Sequence, residues 1–215
     1  MLRGSVLIFD VDDTLYQCGS LRNEKEEVLI NLFFRRKLGI NSRQAKEIIN
    51  DIRKRYYYEI DALEKDYPMK KQTFLEEACR VDMSFLKPDS ELNGLLQKLP
   101  QRKIIFTDNS ANHARDCLKA LAINENIFPD IFDGHAMNYT FKHRPESFEL
   151  LIKKFNLDAK KCILFEDNPD NLKMAQNFGM KTVLITPENS KNPNDFDYTY
   201  PNINIALKQM FQTNK

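Results

Sequence analysis

Short apolar runs bounded by polar residues recur along the chain. Residues 6–9, 103–106, 162–165 and 181–185 are dominated by Val, Ile, Leu and Phe, the pattern of strands buried on both faces. Between them the apolar spacing changes to that of helices. Pro88-Asp89-Ser90 begins a helix carrying Leu92, Leu95, Leu96 and Leu99. Ser110 can cap another that runs through Leu118 and Leu121, and Pro145 opens a third with Phe148, Leu151, Ile152 and Phe155. Strands alternating with helices predict an α/β fold with a parallel sheet covered on both faces. Such sheets place their sites just beyond the carboxyl ends of the strands.

Residues 16–86 break this alternation. They contain helical patterns and no convincing strand: Val28, Leu29, Leu32 and Phe33 make one apolar stripe, and Ile48, Ile49 and Ile52 begin a second. The organisation expected is therefore a core made of residues 1–15 and 87–215, with a helical cap over 16–86 inserted after the first strand. An insertion there would enclose whatever the sheet edge binds. The Asn- and Pro-rich stretch 187–197 reads as a surface loop.

Composition narrows the class. With 215 residues, 42% hydrophobic and 29% charged, the chain can bury a sizeable core and is not a disordered tail. No apolar run approaches the roughly 18–20 residues that cross a bilayer, so no membrane partner is expected. A formal charge of +1 provides no basic field for a stable nucleic-acid partner. Cys18, Cys79, Cys117 and Cys162 lie far apart and form no CxxC, which favours reduced thiols over a zinc site or a disulfide framework. The apolar run after Met1 is too short for a secretory segment. A mature N-terminus and a cytoplasmic location are expected.

Four clusters carry chemistry. The first strand ends in Phe9-Asp10-Val11-Asp12-Asp13-Thr14-Leu15, where strand alternation would bring Asp10 and Asp12 to one side. One carboxylate can attack phosphorus while a second protonates the leaving oxygen and later deprotonates water; a turn or a simple cation site is the alternative. The second strand ends in Thr107-Asp108-Asn109-Ser110, a hydroxyl before a helix start, suited to a phosphate or to capping alone. Lys142 sits in a loop before Pro145 and could reach an anion, or simply be solvated. The strand opening at Cys162 ends in Glu166-Asp167-Asn168-Pro169, whose adjacent acids could bind Mg²⁺ or complement a helix dipole.

These four clusters, in this order and each at the end of an expected strand, resemble the haloacid dehalogenase superfamily from residue 5 to about residue 186. The resemblance implies a Rossmann-like core with an inserted helical cap. It also implies a Mg²⁺-dependent phosphatase in which Asp10 is the nucleophile that becomes a phosphoaspartate and Asp12 is the general acid and base. Thr107 and Lys142 would hold the phosphoryl oxygens beside Asp108. Mg²⁺ would be bound by the Asp10 carboxylate, the Asp12 backbone carbonyl and Asp167, with Glu166 supporting through water. An acid at position 12 favours phosphoryl transfer over dehalogenation.

Tyr56-Tyr57-Tyr58, Ala62-Leu63, Phe106-Thr107 and Asn112-His113-Ala114 are more loosely similar to pyrimidine 5′-nucleotidases, which points to a small phosphorylated metabolite as substrate. Two positions depart from the family pattern: Asp108, where Asn is usual and a carboxylate would repel substrate unless it turns away, and His143, where Pro is usual. A sugar-phosphate phosphatase, a phosphomutase and a catalytically silent binding protein stay open as alternatives, as do a monomer and a homodimer. His113 and His135 have no partner at ligand spacing and are expected to be inert. The Tyr56–Tyr58 cluster is expected to pack within the cap, and Arg53-Lys54-Arg55 to form a solvated helix face or to guide an anionic substrate.

Overall fold

Strand-forming runs of four or five residues are too short to stand alone, and they find stability here by pairing side by side. The computed structural model describes residues 4–17, 19, 21–187 and 195–211. Its elements run β1 (Val6–Phe9), α1 (Leu21–Leu38), α2 (Ser42–Arg55), α3 (Lys71–Glu77), α4 (Ser90–Lys98), β2 (Lys103–Phe106), α5 (Ala111–Ala120), β3 (Asp130–Phe132), α6 (Pro145–Phe155), β4 (Cys162–Glu166), α7 (Pro169–Asn177), β5 (Lys181–Ile185), β6 (Tyr198–Tyr200) and α8 (Ile203–Phe211). Two compact units result, one of Met1–Cys18 with Met83–Lys215 and one of Gly19–Asp82.

The first unit holds a six-stranded sheet, in the order β3-β2-β1-β4-β5-β6, in which every pairing is parallel. β1 lies at the centre. Phe9 pairs with Ile105 on one side and Phe165 on the other, so residues 10, 106 and 166 come level at the carboxyl edge. β2 and β4 are buried throughout. Phe9 stacks on Phe165 at 4.6 Å, and Phe106 meets Phe148 of α6 edge-on at 5.1 Å. Lys103 opens buried β2 by donating from Nζ to the carbonyls of Leu99 and Gln101, at 2.6 and 3.0 Å. The helices start where the sequence provides caps: Asp89 accepts from Leu92 N, Ser110 from His113 N and Asn168 from Asp170 N.

Two strands and two helices were not expected from the sequence. β3 and β6 have three residues each, too few to show a period of two, and α7 and α8 follow directly from the strands they pack against. Residues 188–194 of the expected surface loop lie outside the described residues.

The second unit is helical. α1 and α2 pack together, and Phe33, Phe34, Phe74 and Tyr67 interlock edge-on. The apolar stripe of α1 differs from the expected one: Ile30, Phe33 and Phe34 are buried, while Val28 is 66% exposed. Residues 28–34 are apolar almost all round, so periodicity cannot choose the face, and the adjacent phenylalanines decide it by their larger area. In α2, Ala45, Ile49 and Ile52 are buried. Arg53 and Arg55 are not a freely solvated face: Arg53 pairs with Glu27 and Glu59, and Arg55 with Asp51 and Asp66.

Candidate active site

The sheet edge gathers the candidates from three neighbouring strands. β1 stops at Phe9, and Asp10 N donates to Phe165 O at 3.0 Å, fixing Asp10 beside β4. Beyond it the chain turns instead of continuing as a strand. Leu15 N donates to Val11 O at 3.0 Å, and Asp13 takes a left-handed φ of 57°. The strand alternation expected across Asp10 and Asp12 is therefore replaced by a tight turn, and the two carboxylates find different partners.

Asp10 meets Lys142. The lysine is buried, with Nζ 2.6 Å from Asp10 Oδ1 and 2.7 Å from Glu166 Oε2. Asp167 completes the group, its carboxylate lying with those of Asp10 and Glu166 so that oxygens of all three fall within 4.8 Å of one another. Thr14 Oγ1 donates to Asp167 Oδ1 at 3.4 Å and ties the first turn to the end of β4.

One ammonium faces three carboxylates in a desolvated place, and the charge balance is poor. Burial, followed by the neighbouring Glu166, pushes Asp10 up to about 8, with Lys142 opposing. Burial, Glu166 and Asp10 push Asp167 up to about 9. Burial works against charge on Lys142, but Asp10 and Glu166 overcome it and hold the ammonium well above its ordinary range. The negative excess and the all-oxygen donor set fit a hard divalent cation such as Mg²⁺.

The lysine is delivered by a strained loop. Asn138, Tyr139 and Phe141 take φ values of 53°, 59° and 57°, the left-handed region that costs a non-glycine residue roughly 1 kcal/mol or more. Asp108 provides one compensation, since its Oδ1 accepts from Lys142 N at 2.8 Å. The carboxylate that would repel a substrate faces this loop. Thr107 is buried at the end of β2, its Oγ1 accepting from Asn109 N at 3.1 Å in a tight hydroxyl turn.

Asp12 is paired with two residues that the sequence did not single out for it. Tyr16 donates its hydroxyl to Asp12 Oδ1, and His113 Nε2 lies 2.8 Å from the same oxygen. His113 is wholly buried in the first turn of α5 and, against the expectation that it lacks a partner, meets Asp12 there. His135 instead bonds Tyr139 at 2.8 Å. Asp133 was also missed. It accepts from Ala111 N and Ala136 N at 2.9 and 3.0 Å, joining the end of β3 to the start of α5. No local pattern marks an acid after a three-residue strand. For His113 the signal was its place four residues before Cys117 on a helix that opens at this same edge.

Comparison with known proteins accords with this architecture. Residues 5–179 match the model of the haloacid dehalogenase-like hydrolase family. Phosphate metabolism protein 8 of Saccharomyces cerevisiae is 28% identical over 94% of this chain, which spans 65% of that relative's length. Among solved structures, the HAD-hydrolase YfnB of Bacillus subtilis, bound to magnesium, is similar with a TM-score of 0.61 and 18% identity over 96% of this chain and 97% of that one. A HAD phosphatase of Thermococcus onnurineus has a TM-score of 0.60 and 17% identity, with 96% and 97% covered. The match across most of the chain, on a parallel sheet with these acids at its carboxyl edge, makes this protein a member of the haloacid dehalogenase-like hydrolase family.

Proposed function

We propose that this hydrolase is a Mg²⁺-dependent phosphatase acting on a small phosphomonoester through a phosphoaspartate at Asp10. The observation that carries the reading is the buried bridge from Lys142 Nζ to Asp10 and Glu166, with Asp167 alongside. An anionic nucleophile and a phosphate dianion repel one another, and cations placed between them remove most of that barrier. Asp10, Asp167 and the main-chain carbonyl of Asp12 would hold Mg²⁺ with support from Glu166. The ion supplies positive charge to the phosphoryl oxygens.

In the first step an Asp10 carboxylate oxygen attacks phosphorus, the bond from phosphorus to the leaving oxygen breaks, and protonated Asp12 gives that oxygen its proton. Asp12, now a carboxylate, takes a proton from water in the second step. The water oxygen bonds to phosphorus, the link to Asp10 breaks, and inorganic phosphate leaves with Asp10 and protonated Asp12 restored. Lys142 and Thr107 steady the phosphoryl oxygens throughout.

The test is phosphate release with Mg²⁺ from nucleoside monophosphates and sugar phosphates. Asp10→Asn should abolish it in a folded protein, and undiminished release by a clean preparation of that variant would overturn the assignment. Asp12→Asn should still be phosphorylated by an aryl phosphate, whose leaving group needs no acid. It should then stall with one added phosphoryl group by intact mass; with no adduct, Asp12 loses its role.

A further inference from the structure

We propose that His113, together with Tyr16, is a positioning residue for Asp12, aiming the carboxyl group that moves the proton. Two donors converge on one oxygen. Tyr16 donates its hydroxyl to Asp12 Oδ1, and the His113 ring approaches that same atom at 2.8 Å. Asp12 stands in a tight turn with its side chain 14% exposed, whereas His113 is wholly buried. The buried ring therefore holds the partly exposed carboxylate, not the reverse.

His113 itself is well anchored. Its backbone N–H donates to Ser110 Oγ at 3.2 Å, and Asp133 binds the preceding turn through Ala111 N at 2.9 Å. The tautomer follows from the ring's other nitrogen. Nδ1 is buried with no hydrogen-bond partner among the described residues, so a proton there would be an unsatisfied donor costing about 1–3 kcal/mol. Of the two tautomers, the one with its hydrogen on Nε2 leaves no donor unsatisfied and donates to Asp12.

The same argument decides against a metal at this place. Ligand atoms of Asp12, His113 and Cys117 lie within 4.8 Å of one another, with Cys117 Sγ 3.5 Å from Nε2. Coordination through Nε2 would force the ring proton onto Nδ1, where nothing described accepts it. A metal-ligating histidine normally donates that second N–H. The hydrogen-bonded reading is the one the ring can satisfy.

The consequence for catalysis rests on Asp12 being the acid and base. With Oδ1 occupied by two donors, the transferable proton belongs on Oδ2, and the plane of the carboxyl group is fixed before substrate arrives. A general acid contributes about 10²–10⁴-fold only when it is correctly placed. Loosening it should therefore cost most where the leaving group needs a proton most.

The experiment compares kcat/KM, which reads the first phosphoryl transfer alone, for an alkyl phosphate and for p-nitrophenyl phosphate in His113→Ala, His113→Gln, Tyr16→Phe and Asp12→Asn proteins, each checked for a cooperative thermal transition. His113→Ala should lower kcat/KM on the alkyl ester about tenfold or more while affecting the aryl ester far less, a part of the general-acid contribution. His113→Gln, which restores a side-chain N–H, should recover much of the loss, and Tyr16→Phe should show the same signature more weakly. In the Asp12→Asn background, His113→Ala should add no further loss. Equal losses on both esters, or losses that add to those of Asp12→Asn, would make His113 merely structural and overturn the proposal. Should His113→Ala fail to fold, the Gln and Tyr16→Phe proteins decide by the same criterion. An Asp12→Asn protein without leaving-group dependence would instead remove the acid/base reading itself.

Discussion

Asp108 and Lys142 are joined through the backbone: Asp108 Oδ1 accepts the Lys142 N–H at 2.8 Å, while the lysine's ammonium reaches Asp10 at 2.6 Å. A carboxylate placed beside the hydroxyl of Thr107 thus acts on the loop that carries the cation. Its unfavourable charge also faces that cation, since Asp108 is among the groups that hold the lysine protonated.

This geometry separates two substitutions at position 108. Asp108→Asn keeps an oxygen acceptor for Lys142 N, and kcat/KM should stay within a few-fold of wild type. Asp108→Ala leaves the strained loop without that bond, worth about 1.5–3 kcal/mol for a charged acceptor, and should lower kcat/KM roughly tenfold or more. Equal effects of Asn and Ala would show that charge rather than the hydrogen bond matters.

Lys142→Met removes the ammonium from among three carboxylates, of which those of Asp10 and Glu166 are buried. Phosphate release should fall about 10²–10³-fold, as when one preorganised charge partner is lost. The metal-free protein should also lose about 3–5 kcal/mol in urea unfolding, because Asp10 and Glu166 are left unpaired. Full stability would mean that the carboxylates rearrange or protonate without strain.

Chelation should abolish turnover, and Mg²⁺ should restore it. Because the ion binds only the folded state, it should raise the thermal midpoint of wild type, by about 2.7 kcal/mol of stability at a hundredfold excess over its Kd. Asp167→Asn should blunt that rise while leaving the metal-free protein no less stable, since the removed charge is one that burial disfavours. A wild-type midpoint indifferent to Mg²⁺ would refute the metal site.

UMP and CMP should be hydrolysed with higher kcat/KM than glucose or glycerol phosphates, measured side by side. The basis is the similarity of Phe106-Thr107 and Asn112-His113-Ala114 to pyrimidine 5′-nucleotidases. Preference for the sugar phosphates would reverse this assignment.

The sheet was legible in the sequence wherever strands were apolar and long enough to show a pattern. Polar residues that end such runs must lie at the sheet edge, and for this reason Asp10, Thr107, Glu166 and Asp167 could be placed on adjacent strand ends. What stayed hidden depended on contacts between distant segments. His113 is an ordinary helix residue until the fold sets it against Asp12. Asp108 looked like a repulsive charge until a loop with left-handed residues folded back over it. The buried face of α1 was ambiguous because apolar side chains surround it.

The central position of β1 bears on how the protein is made. Val6 pairs with Cys162 and Leu7 with Lys103, so the strand that leads to Asp10 acquires its two neighbours only after most of the core sequence exists. Contacts this far apart carry a large loop-closure penalty and slow the search for the native state. Until then the run Val6-Leu7-Ile8-Phe9 presents an unpaired apolar edge, the kind of surface through which incompletely folded chains aggregate. Bringing Asp10 to Lys142 and Glu166 requires the same long-range closure. A truncated product ending before β4 would carry the proposed nucleophile but no assembled site around it.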